Sequence, residues 1–163
     1  MKNIVEHMQF YASHHQKIIT KITHFIGVPL IIFAVLMLFS WVPLPLHIMN
    51  HDLTLAWVLV IFVLLYYLWL DVYLTLIAAI IFLPVTYYAE VVARDKFNLW
   101  SFGLFCLLFI VGWSIQLIGH YFEGKRPAFL TNLFQVFVAP LFLIAELCFL
   151  FGFRKDLAKK LRE

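Results

Sequence analysis

Phe25-Ile-Gly-Val-Pro-Leu-Ile-Ile-Phe-Ala-Val-Leu-Met-Leu-Phe-Ser-Trp-Val42 runs for eighteen residues without a charge. As a helix it rises about 27 Å, close to the roughly 30 Å of a bilayer's hydrocarbon. Comparable apolar runs follow at 53–70, 72–89, 99–119 and 129–153. Lipid offers no partner for an open backbone, so runs of this length imply helices. The expected fold is all-α, a polytopic membrane helical bundle. Composition points the same way: 64% of residues are hydrophobic and 13% charged, whereas a soluble domain carries about a quarter charged residues. A chain of 163 residues allows a single integral membrane domain, 1–163, and no more than about six crossings.

The breaks between runs set the topology. Pro43 and Pro45 stop the first helix, and Asp52 is positioned to cap the second. Asp71 alone separates the second and third, which requires a tight turn, and 94–98 separates the third and fourth. The run 129–153 is interrupted by Pro140 and Glu146 and carries the amides of Asn132 and Gln135 on its first half. Charge distribution chooses between the options. With four transmembrane helices and a broken re-entrant or interfacial fifth segment, one side holds Lys2, Lys17, Lys21, Lys125, Arg126, Arg154, Lys155, Lys159, Lys160 and Arg162, opposite only Arg94 and Lys96. Five full crossings, the alternative, divide these charges almost evenly, against the positive-inside tendency. Residues 1–21 then form a cytoplasmic amphipathic segment without the features of a removable leader, and 154–163 a basic cytoplasmic tail. Cys106 and Cys148 lie in apolar runs and read as small hydrophobes. The tyrosine pairs Tyr66-Tyr67 and Tyr87-Tyr88, with Glu90, read as interface anchors. The clustered basic residues orient a membrane protein and give no sign of nucleic-acid binding. The expected location is a bacterial inner membrane with both termini cytoplasmic, the endoplasmic reticulum being the alternative.

Against this hydrocarbon the polar residues stand out, because ionisable groups at helix mouths are costly and by default functional. His15 and His24 are nine residues apart, on opposite faces of any continuous helix, so they share a site only across a break; Thr20 is a reasonable cap for one. Gln116, His120 and Glu123 fall on one helical stripe, where a carboxylate or amide can bind a metal or orient the imidazole. The equally weighted bland readings are an interfacial helix whose histidines face water and a solvated loop at 123–127. Glu146 requires a polar partner, with His120, Gln116, Asn132 or a metal-bound water as candidates. His7, His14, His15, His24 and His120 share one side, a supply suited to a mononuclear site, while His47 and His51 lie in the opposite loop. No phosphate-binding glycine loop, Gly-x-Ser-x-Gly elbow or His-Glu-x-x-His helix is present.

The blocks Phe10-Tyr-Ala-Ser-His14-His15, Thr23-His24-Phe-Ile-Gly-Val-Pro29, Trp113-Ser-Ile-Gln116-Leu-Ile-Gly-His120 and Phe122-Glu123-Gly-Lys125-Arg126-Pro-Ala128, with Ala139-Pro140 and Glu146, resemble a known family. It is the family of membrane-embedded iron-dependent 2-hydroxy-fatty-acid dioxygenases that degrade phytosphingosine to odd-numbered fatty acids. One position departs from its pattern: Thr20 stands where relatives are expected to carry asparagine. The resemblance implies Fe(II) held by His15, His24 and His120, with Glu123 and His14 as further candidates for the iron site; Glu123 and, from its place on the His120 stripe, Gln116 are the candidate catalytic residues. It implies 2-hydroxy fatty acid and O2 as substrates, alpha-oxidation to a chain one carbon shorter, and Lys125 or Arg126 attracting the carboxylate. The bilayer is the expected partner, with a homo-oligomer open. The alternative is a non-enzymatic lipid-binding or transport protein using the same polar cluster.

Overall fold

The computed structural model describes residues 4–48, 51–93, 97–130, 132 and 134–161. Lys2, Arg94, Lys96 and Arg162 of the charge count lie outside the described residues. The order is α1 (Ile4–Ser13), α2 (Ile18–Ser40), β1 (Pro43–Ile48), β2 (His51–Thr54), α3 (Leu55–Leu70), α4 (Val72–Ala93), α5 (Leu99–Glu123), a 3-10 turn (Ala128–Leu130), α6 (Gln135–Leu150) and α7 (Lys155–Lys160). The helices α2, α4 and α5 are long and apolar enough to cross a membrane; α3 and α6 are apolar but have 16 residues each. Sixteen residues reach about 24 Å, short of the hydrocarbon thickness. The chain is therefore helical and membrane-like.

Several boundaries differ from those read in the sequence. The first long helix begins at Ile18, seven residues before the apolar run, and the break that precedes it lies at 14–17 instead of at Thr20. Its first turn is polar because it is held by side chains from α5, described below. The segment expected as a plain loop before α3 is an antiparallel hairpin, whose ladder pairs His47 with Asp52, so that Thr54 and not Asp52 precedes α3. Pairing satisfies backbone groups that prolines at 43 and 45 deny to a helix. Pro140 does not break the fifth segment, since α6 continues through it; the helix starts only at Gln135, after the 3-10 turn at Ala128–Leu130. Tyr67 is no interface anchor: it is fully buried and donates its hydroxyl to the Phe137 carbonyl at 2.6 Å.

Side-chain caps place the helix starts. Asp71 accepts from the Leu74 N–H at 3.0 Å, and Asn98 accepts from the Ser101 N–H at 2.9 Å. Gly124 ends α5 in the left-handed conformation at φ 75°, which costs a glycine little. Asp71 also receives both hydrogen bonds of Arg154 Nη1 at 2.7 Å, which ties the turn between α3 and α4 to the segment after α6. The Gln9 amide donates to the Lys160 carbonyl at 3.0 Å, so the two ends of the described chain meet.

The seam between α2 and α5 is built from small residues. A Cβ on Gly112 would stand 2.8 Å from Ile31 Cγ1 and 3.1 Å from the Gly27 carbonyl, and one on Gly119 would collide with the Thr23 hydroxyl. Hydrogen side chains let the backbones approach, as membrane helices do where burial against lipid gains nothing. This closeness carries His24 on α2 up to His120 on α5. Replacing Gly112 with leucine is expected to cost about 1 to 3 kcal/mol by overpacking, seen as a lower thermal midpoint in detergent together with loss of bound metal.

Candidate metal centre

The break at 14–17 turns the chain so that His15 faces back onto α2. His15 Nδ1 lies 2.7 Å from the Tyr11 carbonyl, and the Tyr11 ring stacks on the imidazole at 4.0 Å between centroids. His24 Nδ1 lies 2.8 Å from the Thr20 carbonyl one turn earlier. A carbonyl only accepts, so each Nδ1 carries the proton and each Nε2 presents a lone pair. Those two Nε2 atoms are 3.0 Å apart. Burial, and then the neighbouring His24, push the His15 imidazole down to about 3, so it is neutral at physiological pH. Two lone pairs facing at this distance repel unless a cation sits between them. Nitrogens bonding one cation at about 2.1 Å, at right angles, lie about 3.0 Å apart, so the pair fits a divalent metal.

His120 completes the group. Its ring centroid is 5.0 Å from that of His15 and 4.8 Å from that of His24, and its Nδ1 is buried with no hydrogen-bond partner among the described residues. One nitrogen from each of the three lies within 4.8 Å of the others, and all three residues are buried. Three imidazoles, two of them with carbonyl-fixed tautomers, are a donor set for iron, zinc or copper, and leave positions open for further ligands.

Glu123 does not join that group but builds the wall behind it. Its carboxylate accepts from the Gln16 N–H at 3.1 Å, the Lys17 N–H at 3.0 Å and the Thr20 hydroxyl at 2.7 Å. It thereby caps α2 from another helix and closes the break beside His15. Lys17 returns the contact by donating Nζ to the Phe122 carbonyl at 2.7 Å. His14 is half-buried, with Nδ1 3.0 Å from the Phe10 carbonyl, outside the three-imidazole group. Lys125 donates to the Ser13 carbonyl at 2.6 Å and Arg126 is exposed, and neither lines the imidazole cavity. The partner of Glu146 is none of those expected: Lys21 donates to both its oxygens, at 3.0 and 3.1 Å, because α6 sets it across from the first turn of α2.

The imidazoles open into a cavity of about 80 Å³ whose walls also include Tyr11, Trp113, Gln116 and Gln135. Gln116 thus lies at the site as its helical stripe with His120 suggested. Gln135 was visible in the sequence only as an amide in an apolar run. The residue is 2% exposed, and its Oε1 has no hydrogen-bond partner among the described residues. A buried amide oxygen left open costs about 1 to 3 kcal/mol, which a bound hydroxyl donor recovers.

A family model described as Mpo1-like, 2-hydroxy-palmitic acid dioxygenase Mpo1-like, matches residues 1–150. Over 48 residues the chain is 48% identical to a Saccharomyces cerevisiae protein named 2-hydroxy-palmitic acid dioxygenase MPO1. That stretch covers 28% of this chain and 28% of the yeast protein. No solved structure matches the chain.

Proposed function

This chain belongs to the Mpo1-like family, and from that membership we propose that it is an Fe(II)-dependent dioxygenase that shortens 2-hydroxy fatty acids by one carbon. In overall balance R–CH(OH)–COOH and O2 become R–COOH, CO2 and H2O, so the C1–C2 bond breaks and O2 takes four electrons. The observation that carries the reading is the facing pair of Nε2 lone pairs, fixed by two backbone carbonyls and joined by His120.

In this proposal His15, His24 and His120 hold the metal. Bound there, Fe(II) would supply a redox-active Lewis acid with open positions for hydroxy acid and O2. The protein's own groups do the rest. The Tyr11 and Thr20 carbonyls keep two imidazoles in the ligating tautomer. Glu123 holds His15 in register, and His14 stands by as a further nitrogen. Gln135 Oε1 accepts the substrate's 2-hydroxyl, and Gln116 orients the head from α5. Lys125 and Arg126 draw the carboxylate toward the mouth, which the basic charge count assigns to the cytoplasmic face.

Purified protein reconstituted with Fe(II) is expected to consume O2 with 2-hydroxypalmitate and to release pentadecanoate. O2 uptake absent from iron-loaded, folded protein across chain lengths would falsify this reading. A Gln135→Leu variant is expected to raise KM for 2-hydroxypalmitate about tenfold or more while inhibition by palmitate, which has no 2-hydroxyl, stays the same. Equal weakening of both ligands would show that Gln135 only packs.

A further inference from the structure

The imidazole cavity has room for a head group and not for a long alkyl chain. At about 80 Å³ it holds the volume of a few waters. Two more cavities adjoin it, and both share Ile32 of α2 and Pro140 of α6 with the first. Ile32 stands eight residues from His24, about 12 Å along the helix. The second cavity, about 140 Å³, is lined by α2, α3, α4 and α6, with Val60, Tyr67 and Phe82 among its walls. The third, about 450 Å³, lies between α2, α4 and α6 against residues such as Phe33, Val85 and Ile144.

We infer that the acyl tail of the substrate leaves the imidazoles past Ile32 and Pro140 and lies in these two cavities. The site deepens the hydroxy-acid reading above and rests on it for the identity of the head. Chemistry restricts the occupant to hydrocarbon. Every residue lining the third cavity is apolar, and in the second the Tyr67 hydroxyl is already engaged by the Phe137 carbonyl. A polar ligand would find no partner there, whereas each methylene gains by leaving water. Membership of the same two residues in all three cavities makes Ile32 and Pro140 the place where they adjoin.

The test uses the full chain in phosphatidylcholine nanodiscs with 2-hydroxypalmitate carrying a diazirine at its far end. Photolysis is expected to label α4 and α6 near Val85 and Ile144, and unlabelled 2-hydroxypalmitate is expected to compete. In parallel, kcat/KM for 2-hydroxypalmitate relative to 2-hydroxyoctanoate is expected to fall about tenfold or more in Ile144→Trp and Ile32→Trp at equal metal content. Labelling elsewhere, labelling that 2-hydroxypalmitate does not displace (a bilayer lipid as occupant), or an unchanged ratio in both folded variants overturns the tail site. Wild-type protein that labels at these helices but does not turn over overturns the dioxygenase reading and leaves the tail site standing. Turnover with labelling elsewhere does the reverse.

Discussion

A His24→Ala protein is expected to insert and fold, and to lose both its metal and all turnover. The seam of α2 and α5 is made by Gly27, Gly112, Gly119 and the threonines, none of which depends on the imidazole. The ring's loss leaves a cavity but also removes one of two lone pairs set 3.0 Å apart, and these effects oppose each other in the metal-free protein. Its thermal midpoint without metal should therefore shift little. With metal the difference is large. Disturbing a residue behind a ligand already costs 10 to 100-fold in affinity, so removing a ligand is expected to cost more than about a hundredfold. Wild-type protein at a metal concentration a hundred times Kd gains about 2.7 kcal/mol of stability, a gain the variant should lack. His120→Ala and His15→Ala should behave alike, and a variant that keeps stoichiometric metal would remove that residue from the ligand set.

The second large effect is expected at Glu123. Alanine there leaves the N–H groups of Gln16 and Lys17 and the Thr20 hydroxyl without their acceptor, at the first turn of a helix. Hydrogen bonds to a charged group contribute about 1.5 to 3 kcal/mol each, and as a shared network roughly 2 to 5 kcal/mol in total is expected. Metal affinity should fall as well, because His15 directly precedes the two N–H groups that Glu123 holds. The conservative variant separates positioning from ligation. Glu123→Gln keeps one acceptor oxygen, so excess Fe(II) is expected to restore turnover with an unaltered iron spectrum. A changed spectrum at full loading would make Glu123 a ligand.

The long apolar runs made the helical, membrane-like character legible, since periods and lengths of that kind depend on local sequence alone. The three imidazoles were singled out because polar groups at helix mouths are costly, and the structure brings them together. What local pattern could not supply was the partner across space. The break at 14–17 is held by Glu123, more than a hundred residues away, so the sequence suggested Thr20 as its cap instead. Glu146 was matched to candidate partners near the site because nothing local pointed to Lys21. The hairpin between α2 and α3 was hidden by its prolines, which signal a loop until a second strand pairs with it. Gln135 showed no role until its burial without a partner could be seen.

Metal analysis of wild-type and His24→Ala protein, each purified from iron-supplemented cells and assayed at once for O2 uptake with 2-hydroxypalmitate, tests the imidazole centre most directly. Near-stoichiometric iron and turnover in the wild type, with neither in the variant, is the expected result. Equal iron and equal uptake in both proteins would contradict it.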